Sequence, residues 1–222
     1  MTRTQLLFGF VALAVVALCV AAYFAFFGGP ASDAVPQAAQ VSYAVTKDDR
    51  TLGSPKAPIT MIEYAAPTCP ICARFNNDVF PQVKQHYIDT GKIFYVFRVF
   101  PLQAADIAAE AIARCMPPES YFSFIDLLYR NQSRWDPDGY QIPDVHAALL
   151  EMAKTAGMAP EKADSCINDR ALTKRIEQVG LDAQTRYGVS GTPTFIINGQ
   201  VRGPFVDFQD FQSFVDPMLR PR

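Results

Sequence analysis

The chain has 222 residues, of which 50% are hydrophobic and 12% aromatic, so it can bury a substantial core and is not a disordered protein. Charged residues make up only 19% and the formal net charge is −2, which excludes a strongly basic surface for nucleic acid. The two histidines, His86 and His146, are far apart in the sequence, which disfavours a histidine-rich metal cluster and a hydrolase dyad.

The first segment, from Leu6 to Phe27, contains no charged residue and as a helix is long enough to span a bilayer. One arginine precedes it and acidic and mixed charges follow, which favours an amino terminus inside and the remainder outside. We therefore expect a retained membrane anchor over residues 1–30 and a linker over residues 31–40, which are rich in alanine and proline. A cleaved signal peptide is the alternative. Cys19 is expected to be a buried apolar residue of the anchor rather than a lipidation site.

The folded domain is expected over residues 41–222 and begins with a strand–helix–strand pattern. Ala57–Tyr64 is apolar and β-branched, which predicts a buried strand. A helix is predicted from Cys69 toward Gly91, and Pro81 should kink or divide it. Lys92–Phe100 is apolar on both faces apart from one arginine, which predicts a central strand parallel to the first.

Residues 102–187 are predicted to be almost entirely helical, because apolar residues recur every three or four positions between proline and glycine breaks. This is more helix than a single crossover needs, which indicates an inserted helical domain. Phe195–Ile197 then predicts a strand, Asn198-Gly199 a tight turn and Gln200–Arg202 the partner strand. A closing helix is predicted over Asp207–Leu219.

The motif that indicates chemistry is Cys69-Pro70-Ile71-Cys72, which places two thiols one helical turn apart. Cys69 comes at the helix start, where free N–H groups and the positive end of the dipole favour a thiolate. We therefore expect Cys69 to be the nucleophile of disulfide exchange. Cys72, one turn into the helix, should be less exposed and act as the resolving cysteine.

The main alternative for a CxxC motif is a metal site. The next cysteines, Cys115 and Cys166, form no second CxxC and have no histidines nearby, so the sequence does not supply four zinc ligands. A module that binds Cu(I) or zinc through Cys69 and Cys72 alone stays open as a different class of function. We otherwise expect the chemistry to need no metal and no organic cofactor.

Two further positions are candidates for the same site. Glu63 lies six residues before Cys69 in an otherwise apolar strand, where a carboxylate is costly unless it is hydrated or functional. A carboxylate that faces solvent at the strand end is the alternative.

Gly191-Thr192-Pro193-Thr194 precedes the hairpin strand, and a cis Pro193 would present the Thr192 backbone beside the cysteines. A trans loop proline is the alternative for that tetrapeptide alone. His86 and His146 are expected on solvated helix surfaces.

Together, the CxxC motif, the six-residue lead from Glu63, the helical insertion and the Gly-Thr-Pro-Thr segment resemble the DsbA-type thiol:disulfide oxidoreductases over roughly residues 41–220. The element order is that of an α/β, thioredoxin-like fold with an inserted helical domain, here preceded by one expected N-terminal transmembrane helix. The resemblance implies an enzyme that introduces disulfides into exported proteins by exchange through Cys69 and Cys72. It also implies that Thr192 and Pro193 bind substrate backbone and that Glu63 moves protons for the buried cysteine.

The resemblance further implies reduced or unfolded exported proteins as substrates and a membrane quinone-linked, DsbB-type oxidase that restores the disulfide. The implied location is the inner membrane, with the catalytic domain in the periplasm and no nucleic acid as partner. Two features differ from the family pattern. Pro70-Ile71 stands where strongly oxidising members have Pro-His, and a membrane anchor replaces the usual cleaved signal. A disulfide isomerase or reductase on the same fold therefore stays open.

The same oxidising setting bears on Cys115 and Cys166, which fall in predicted helices of the insertion. Free thiols beside a disulfide donor rarely stay unpaired in such a compartment. We therefore expect a structural Cys115–Cys166 disulfide across a separation of 51 residues. Two separate buried free cysteines are the alternative, because the sequence does not show the distance between them.

Overall fold

A computed structural model describes residues 44–220. The expected transmembrane helix, the linker and the predicted domain boundary near Val41 lie outside the described residues. Among residues 44–220, no helix is long and apolar enough to cross a membrane.

The centre of the domain is a five-stranded mixed sheet in the order β1-β3-β2-β4-β5. Its strands are β1 (Arg50–Leu52), β2 (Ile59–Ala65), β3 (Ile93–Val99), β4 (Thr194–Ile197) and β5 (Gln200–Arg202). Strands β2 and β3 pair in parallel, as predicted, and the other neighbours are antiparallel. Strand β1 was not predicted, because three half-buried residues are too few to show an alternating pattern.

Helices cover both faces of the sheet. They are α1 (Pro70–Arg74), α2 (Phe80–Val83), α3 (Ala104–Cys115), α4 (Tyr121–Arg130), α5 (Gln132–Trp135), α6 (Val145–Thr155), α7 (Pro160–Ile167), α8 (Arg170–Tyr187) and α9 (Phe208–Val215). Short 3₁₀ turns precede α4 and follow α9. The long helical insertion between β3 and β4 is therefore confirmed.

The helical segment that starts beside Cys69 changes its helix type near Pro81, as the proline predicts, but it continues without a break to Ile88. Two π-helical stretches, Phe75–Val79 and Lys84–Ile88, alternate with α1 and α2. The first stretch shifts the hydrogen-bond register, so that Pro81 falls in the first turn of α2. A proline there removes no needed N–H donor, because the first turn of a helix has unpaired donors in any case.

The alternation of strand β2 decides which side chains face the active-site helix. Ile62 and Tyr64 pack with Val96 and Ala183 on the sheet face that α8 covers. Met61 belongs to the larger core on the opposite face, together with Cys72 and the aromatic residues of the insertion. Because side chains two residues apart share a face, Glu63 points toward this larger core.

Arg98, the one charged residue of β3, is buried rather than exposed at a strand edge. Its Nε and Nη2 donate to the two carboxylate oxygens of Asp49, each at 2.8 Å, and its Nη1 donates to the Tyr64 hydroxyl at 2.8 Å. Nη2 also donates to the carbonyl of Ala44. The arginine thus fixes the segment that precedes β1 onto the sheet.

Candidate active site

Cys69 lies at the N-cap of α1, directly after the turn that leaves β2. Its backbone is extended, with φ −73° and ψ 118°, and Pro70 occupies the first helical position. The Cys69 Sγ accepts a hydrogen bond from the N–H of Cys72 at 3.3 Å. Because the first N–H groups of a helix lack backbone partners, they stabilise a negative charge at this position.

The two cysteines of the motif are not bonded to each other, and their pKa values are shifted in opposite directions. A hydrogen bond from the Cys72 side chain is the main cause that lowers the pKa of Cys69 to about 6, against the opposing effect of burial. Burial raises the pKa of Cys72 far above its usual range, and the charge on Cys69 adds to this shift. At neutral pH Cys69 is therefore a thiolate and Cys72 a thiol, which supports the expected nucleophilic and resolving roles.

Glu63 is 2% exposed and is not a solvent-facing carboxylate. The hydroxyl of Tyr95, on β3, donates a hydrogen bond to its Oε2 at 2.6 Å. Burial raises the pKa of Glu63 to about 8, while the hydrogen bond from Tyr95 opposes the shift. The charge of Glu63 in turn contributes to the raised pKa of Cys72. A carboxyl group that holds a proton near neutral pH is thus coupled to the buried thiol.

The loop before β4 approaches the cysteines from the other side. The Thr192–Pro193 peptide bond is cis, and Pro193 is buried. The Cys69 Sγ lies 3.5 Å from the carbonyl oxygen of Thr192, to which it donates a hydrogen bond when the thiol is protonated. The Ile71 side chain, by contrast, is 41% exposed at the start of the helix and carries no hydrogen-bonding group; only the Ile71 backbone N–H bonds to Cys69 and helps to lower its pKa. The reactive sulfur is therefore flanked by a loop backbone and an apolar side chain.

The sequence analysis missed Asp106, which is fully buried at the start of α3. Its Oδ1 accepts the N–H of Thr68 at 2.8 Å, and its Oδ2 accepts the Thr68 hydroxyl at 3.1 Å. Oδ2 also accepts the N–H groups of Leu102 and Gln103. The carboxylate therefore fixes the residue before Cys69 to the loop after β3. The spacing of Gln103 and Asp106, a capping box, was the available sequence signal.

Gln132, in α5 of the insertion, was also missed. Its Nε2 donates to the carbonyl of Pro67 at 2.8 Å and to that of Cys69 at 3.2 Å. The nearby Asp136 is 1% exposed, and burial raises its pKa to about 6. No local pattern singles out Gln132, because its partners lie more than sixty positions away along the chain.

The other two cysteines within residues 44–220 are joined to each other. Cys115, the last residue of α3, forms a disulfide with Cys166 of α7, with a Cα–Cα distance of 6.4 Å. Both histidines are exposed: the Nε2 of His146 is 2.9 Å from the carboxylate of Asp164, and the ring of His86 packs near Phe208. Within the described part of the chain, no group of three or more His, Cys, Asp and Glu side chains has the geometry to hold a metal ion.

Comparison with known proteins gives the same assignment as the geometry. A family model described as "Thioredoxin" matches residues 45–217. The crystal structure of alpha-DsbA1 from Wolbachia pipientis superposes with a TM-score of 0.74 at 30% sequence identity, covering 81% of this chain and 94% of that one. BdbD from Bacillus subtilis superposes with a TM-score of 0.67 at 23% identity, which supports the fold alone.

Among curated relatives, a Rickettsia bellii protein named as a protein-disulfide oxidoreductase is 32% identical over 166 residues, or 72% of this chain and 61% of that protein. The chain thus spans about three fifths of the length of this relative. Disulfide bond formation protein D of Bacillus subtilis is 27% identical and 78% of each chain is covered. The family model and the Wolbachia structure place this chain in the DsbA-type thiol:disulfide oxidoreductases, a family of the thioredoxin fold.

Proposed function

We propose that this protein is a thiol:disulfide oxidase that introduces disulfides into exported proteins. The observation that supports this function is the contrast between the two thiols of the motif: the pKa of Cys69 is lowered to about 6, whereas burial raises that of Cys72. A stabilised Cys69 thiolate favours the reduced protein, so its disulfide is readily passed on. Neither thiol needs a metal for this chemistry.

The proposed reaction starts from the Cys69–Cys72 disulfide. A substrate thiolate attacks the Cys69 Sγ, a mixed disulfide forms, and Cys72 leaves as a thiolate that takes a proton from Glu63. A second substrate thiolate then attacks the substrate sulfur of the mixed disulfide and releases Cys69 as a stabilised thiolate. Two electrons pass from the substrate to the protein, and the substrate gains one disulfide.

The cis Pro193 loop is proposed to bind the substrate backbone. The Thr192 carbonyl already contacts the reactive sulfur at 3.5 Å, so an extended chain linked to Cys69 would run beside the loop. A backbone contact of this kind does not depend on the substrate sequence. The proposed substrates are accordingly reduced or unfolded exported proteins of varied sequence.

Equilibration with glutathione redox buffers, followed by alkylation and mass measurement, tests the oxidase function. We expect a reduction potential more oxidising than about −200 mV. A value near about −270 mV, typical of thioredoxin, would overturn the proposal in favour of a reductase. The apolar side chain of Ile71 is the observation that favours this second function, because it adds no hydrogen bond to the one that the Ile71 backbone gives the Cys69 thiolate.

We also propose that residues 1–30 are a retained anchor, that the catalytic domain faces the periplasm, and that a quinone-linked, DsbB-type membrane oxidase restores the disulfide. The uncharged segment from Leu6 to Phe27 supports the anchor. Mass or amino-terminal analysis of the native protein should find residues 1–30 retained. A start near residue 30 would overturn the anchor, and failure of quinone-containing membranes to reoxidise the reduced protein would overturn the recycling partner.

A further inference from the structure

Tyr95 is placed to control the buried acid of the active site. In the parallel pairing of β2 and β3, Tyr95 lies opposite Met61 and Phe97 lies opposite Glu63, so Tyr95 and Glu63 are diagonal neighbours on one sheet face. The Tyr95 side chain is 3% exposed, and its hydroxyl is 2.6 Å from Glu63 Oε2. Tyr95 belongs to the same core cluster as Cys72, and the charge of Glu63 contributes to the raised pKa of Cys72.

A cavity of about 550 Å³ reaches this pair from the surface. Glu63 and Tyr95 lie in its wall, and the exposed side chains of Lys84 and Glu119 lie in the same wall. Asn76 and Asp126 also line the cavity, and the Asn76 side chain donates to Asp126 Oδ1 at 2.9 Å. The buried acid thus borders a space that extends to solvent through polar groups.

We propose that Tyr95 is a positioning residue for proton transfer at Cys72: its hydroxyl holds the Glu63 carboxyl group in place and favours its charged form, and the adjoining cavity lets Glu63 exchange its proton with solvent. This inference rests on the proposed function of the cysteine pair. Tyr95 acts through Glu63 and touches no reacting sulfur in this assignment.

The step on which Tyr95 acts is the resolution of a mixed disulfide at Cys69. The Glu63 carboxylate accepts the thiol proton of Cys72, the Cys72 sulfur attacks Cys69 Sγ, and the bound partner leaves as a thiolate. One S–S bond breaks and one forms, so the electrons balance. The proton then passes from Glu63 to solvent. The step requires a charged Glu63, which a donor at 2.6 Å stabilises.

Other titratable groups lie near Glu63. The charge of Cys69, at the N-cap of α1, raises the pKa of Glu63, and the charge of Glu63 in turn raises the pKa values of Cys72 in α1 and Tyr129 in α4. The other charged residues in the wall of the cavity are Lys84, Glu119 and Asp126. Tyr95 is the group with a hydrogen bond to Glu63, so its removal should have a larger effect on Glu63 than removal of the others.

The test uses the reduced protein and oxidised glutathione. Rapid quenching and mass measurement follow the conversion of the glutathione mixed disulfide at Cys69 to the Cys69–Cys72 disulfide as a function of pH. In Tyr95→Phe the midpoint of the rate profile should move upward by about one pH unit, because the charged form of Glu63 loses a donor. Below the midpoint, this shift corresponds to a roughly ten-fold lower rate.

A matched control is Tyr87→Phe, because Tyr87 also has a buried ring and donates at 2.6 Å to a carboxylate, that of Asp216, outside the active site. Its profile should match that of the unchanged protein. An unshifted Tyr95→Phe profile, or an equal shift in Tyr87→Phe, would overturn the proposal. So would a Tyr95→Phe shift that persists when Glu63 is replaced by Gln.

Failure of the proposed function has a different signature. If the glutathione mixed disulfide never resolves in the unchanged protein, the cysteine pair is not a redox pair. If Glu63→Gln leaves the rate profile unchanged, Glu63 does not accept the proton, and Tyr95 has nothing to position. If the rate profile depends on Glu63 but does not change in Tyr95→Phe, only the role of Tyr95 is overturned.

Discussion

The two cysteine pairs of this protein have the same side chains but opposite properties. Cys69 and Cys72 are free thiols one helical turn apart, at a helix start that stabilises one charge and buries the other sulfur. Cys115 and Cys166 join the end of α3 to α7 as a disulfide. The helix start stabilises the Cys69 thiolate and so makes it a good leaving group. Cys115 and Cys166 are bonded to each other, and the pair serves as a covalent link between two helices.

The reactivity of a cysteine pair therefore depends on the unequal surroundings of its two sulfurs and not only on the presence of two cysteines. In the first pair the pKa of Cys69 falls to about 6 and that of Cys72 rises. This asymmetry gives exchange a direction, because the sulfur with the lower pKa is the better leaving group. The following predictions test the difference between the pairs.

The largest effect is expected from Cys69→Ser, which should reduce oxidation of a reduced test protein to the uncatalysed level, because the nucleophilic sulfur is lost. Cys72→Ser should instead accumulate mixed disulfides through Cys69, visible on non-reducing gels. Cys166→Ala is the control and should retain turnover. If Cys72 were alkylated before Cys69 after mild reduction, the assignment of roles would be wrong.

The second prediction concerns Glu63→Gln and the pH dependence of stability. The pKa of Glu63 is raised from 4.5 to about 8 in the folded protein, so folding takes up a proton between these values and stability falls as pH rises. Glu63→Gln has no carboxyl group at this position, so its stability does not fall with pH in this way. The free energy of unfolding of the variant, relative to that of the unchanged protein, should therefore rise by about 1.4 kcal/mol per pH unit from pH 4.5 to about 8.

Urea unfolding of the reduced proteins at several pH values measures this difference. The lowered pKa of Cys69 has the opposite sign: it adds stability at high pH, which is lost as pH falls through about 6. Cys69 is present in both proteins, so the difference between their stabilities reports mainly on Glu63. The exposed Glu119→Gln is the control and should show no such trend. A difference that stays constant with pH would contradict the buried proton on Glu63.

The third prediction concerns the second pair, which the double substitution Cys115→Ala and Cys166→Ala removes. Loss of a link across 51 residues should lower the free energy of unfolding by about 4 kcal/mol in the chain-entropy model, or the melting temperature by roughly 10 °C. Turnover should be retained, because neither residue contacts the motif. Peptide mapping without reduction should show Cys115 bonded to Cys166; a bond to Cys69 or Cys72 would make the second pair a redox relay.

The smallest effect is expected from Ile71→His. The exposed position would receive a side chain that can donate to the Cys69 thiolate, which lowers the thiol pKa and stabilises the reduced form. The potential should become more oxidising by about 30 mV, a ten-fold change in the equilibrium constant with glutathione. Ile71→Gln, which brings no positive charge, is the control. An unchanged or more reducing potential in Ile71→His would contradict the argument.

Local sequence patterns were sufficient to predict strands β2 to β5, the helical insertion and the reactive motif, but not the three-residue strand β1. Strand β3 could be predicted because every residue but one is apolar, and the helix at Cys69 because a proline follows directly. The reactive cysteine could be recognised because a helix start acts on a thiol through its own first turn. These features depend on residues close together in the chain, which a sequence displays.

Tertiary structure decided the groups that support the motif. Asp106 and Gln132 hold the Cys69 loop from 38 and more than sixty residues away, and Tyr95 reaches Glu63 across two strands. The fully buried Glu63 and the 6.4 Å approach of Cys115 to Cys166 likewise depend on how distant elements pack. Burial and long-range contacts set the pKa values and the pairing of these groups, and neither is a property of local sequence, because the same residues at a solvent-exposed surface would remain hydrated and apart.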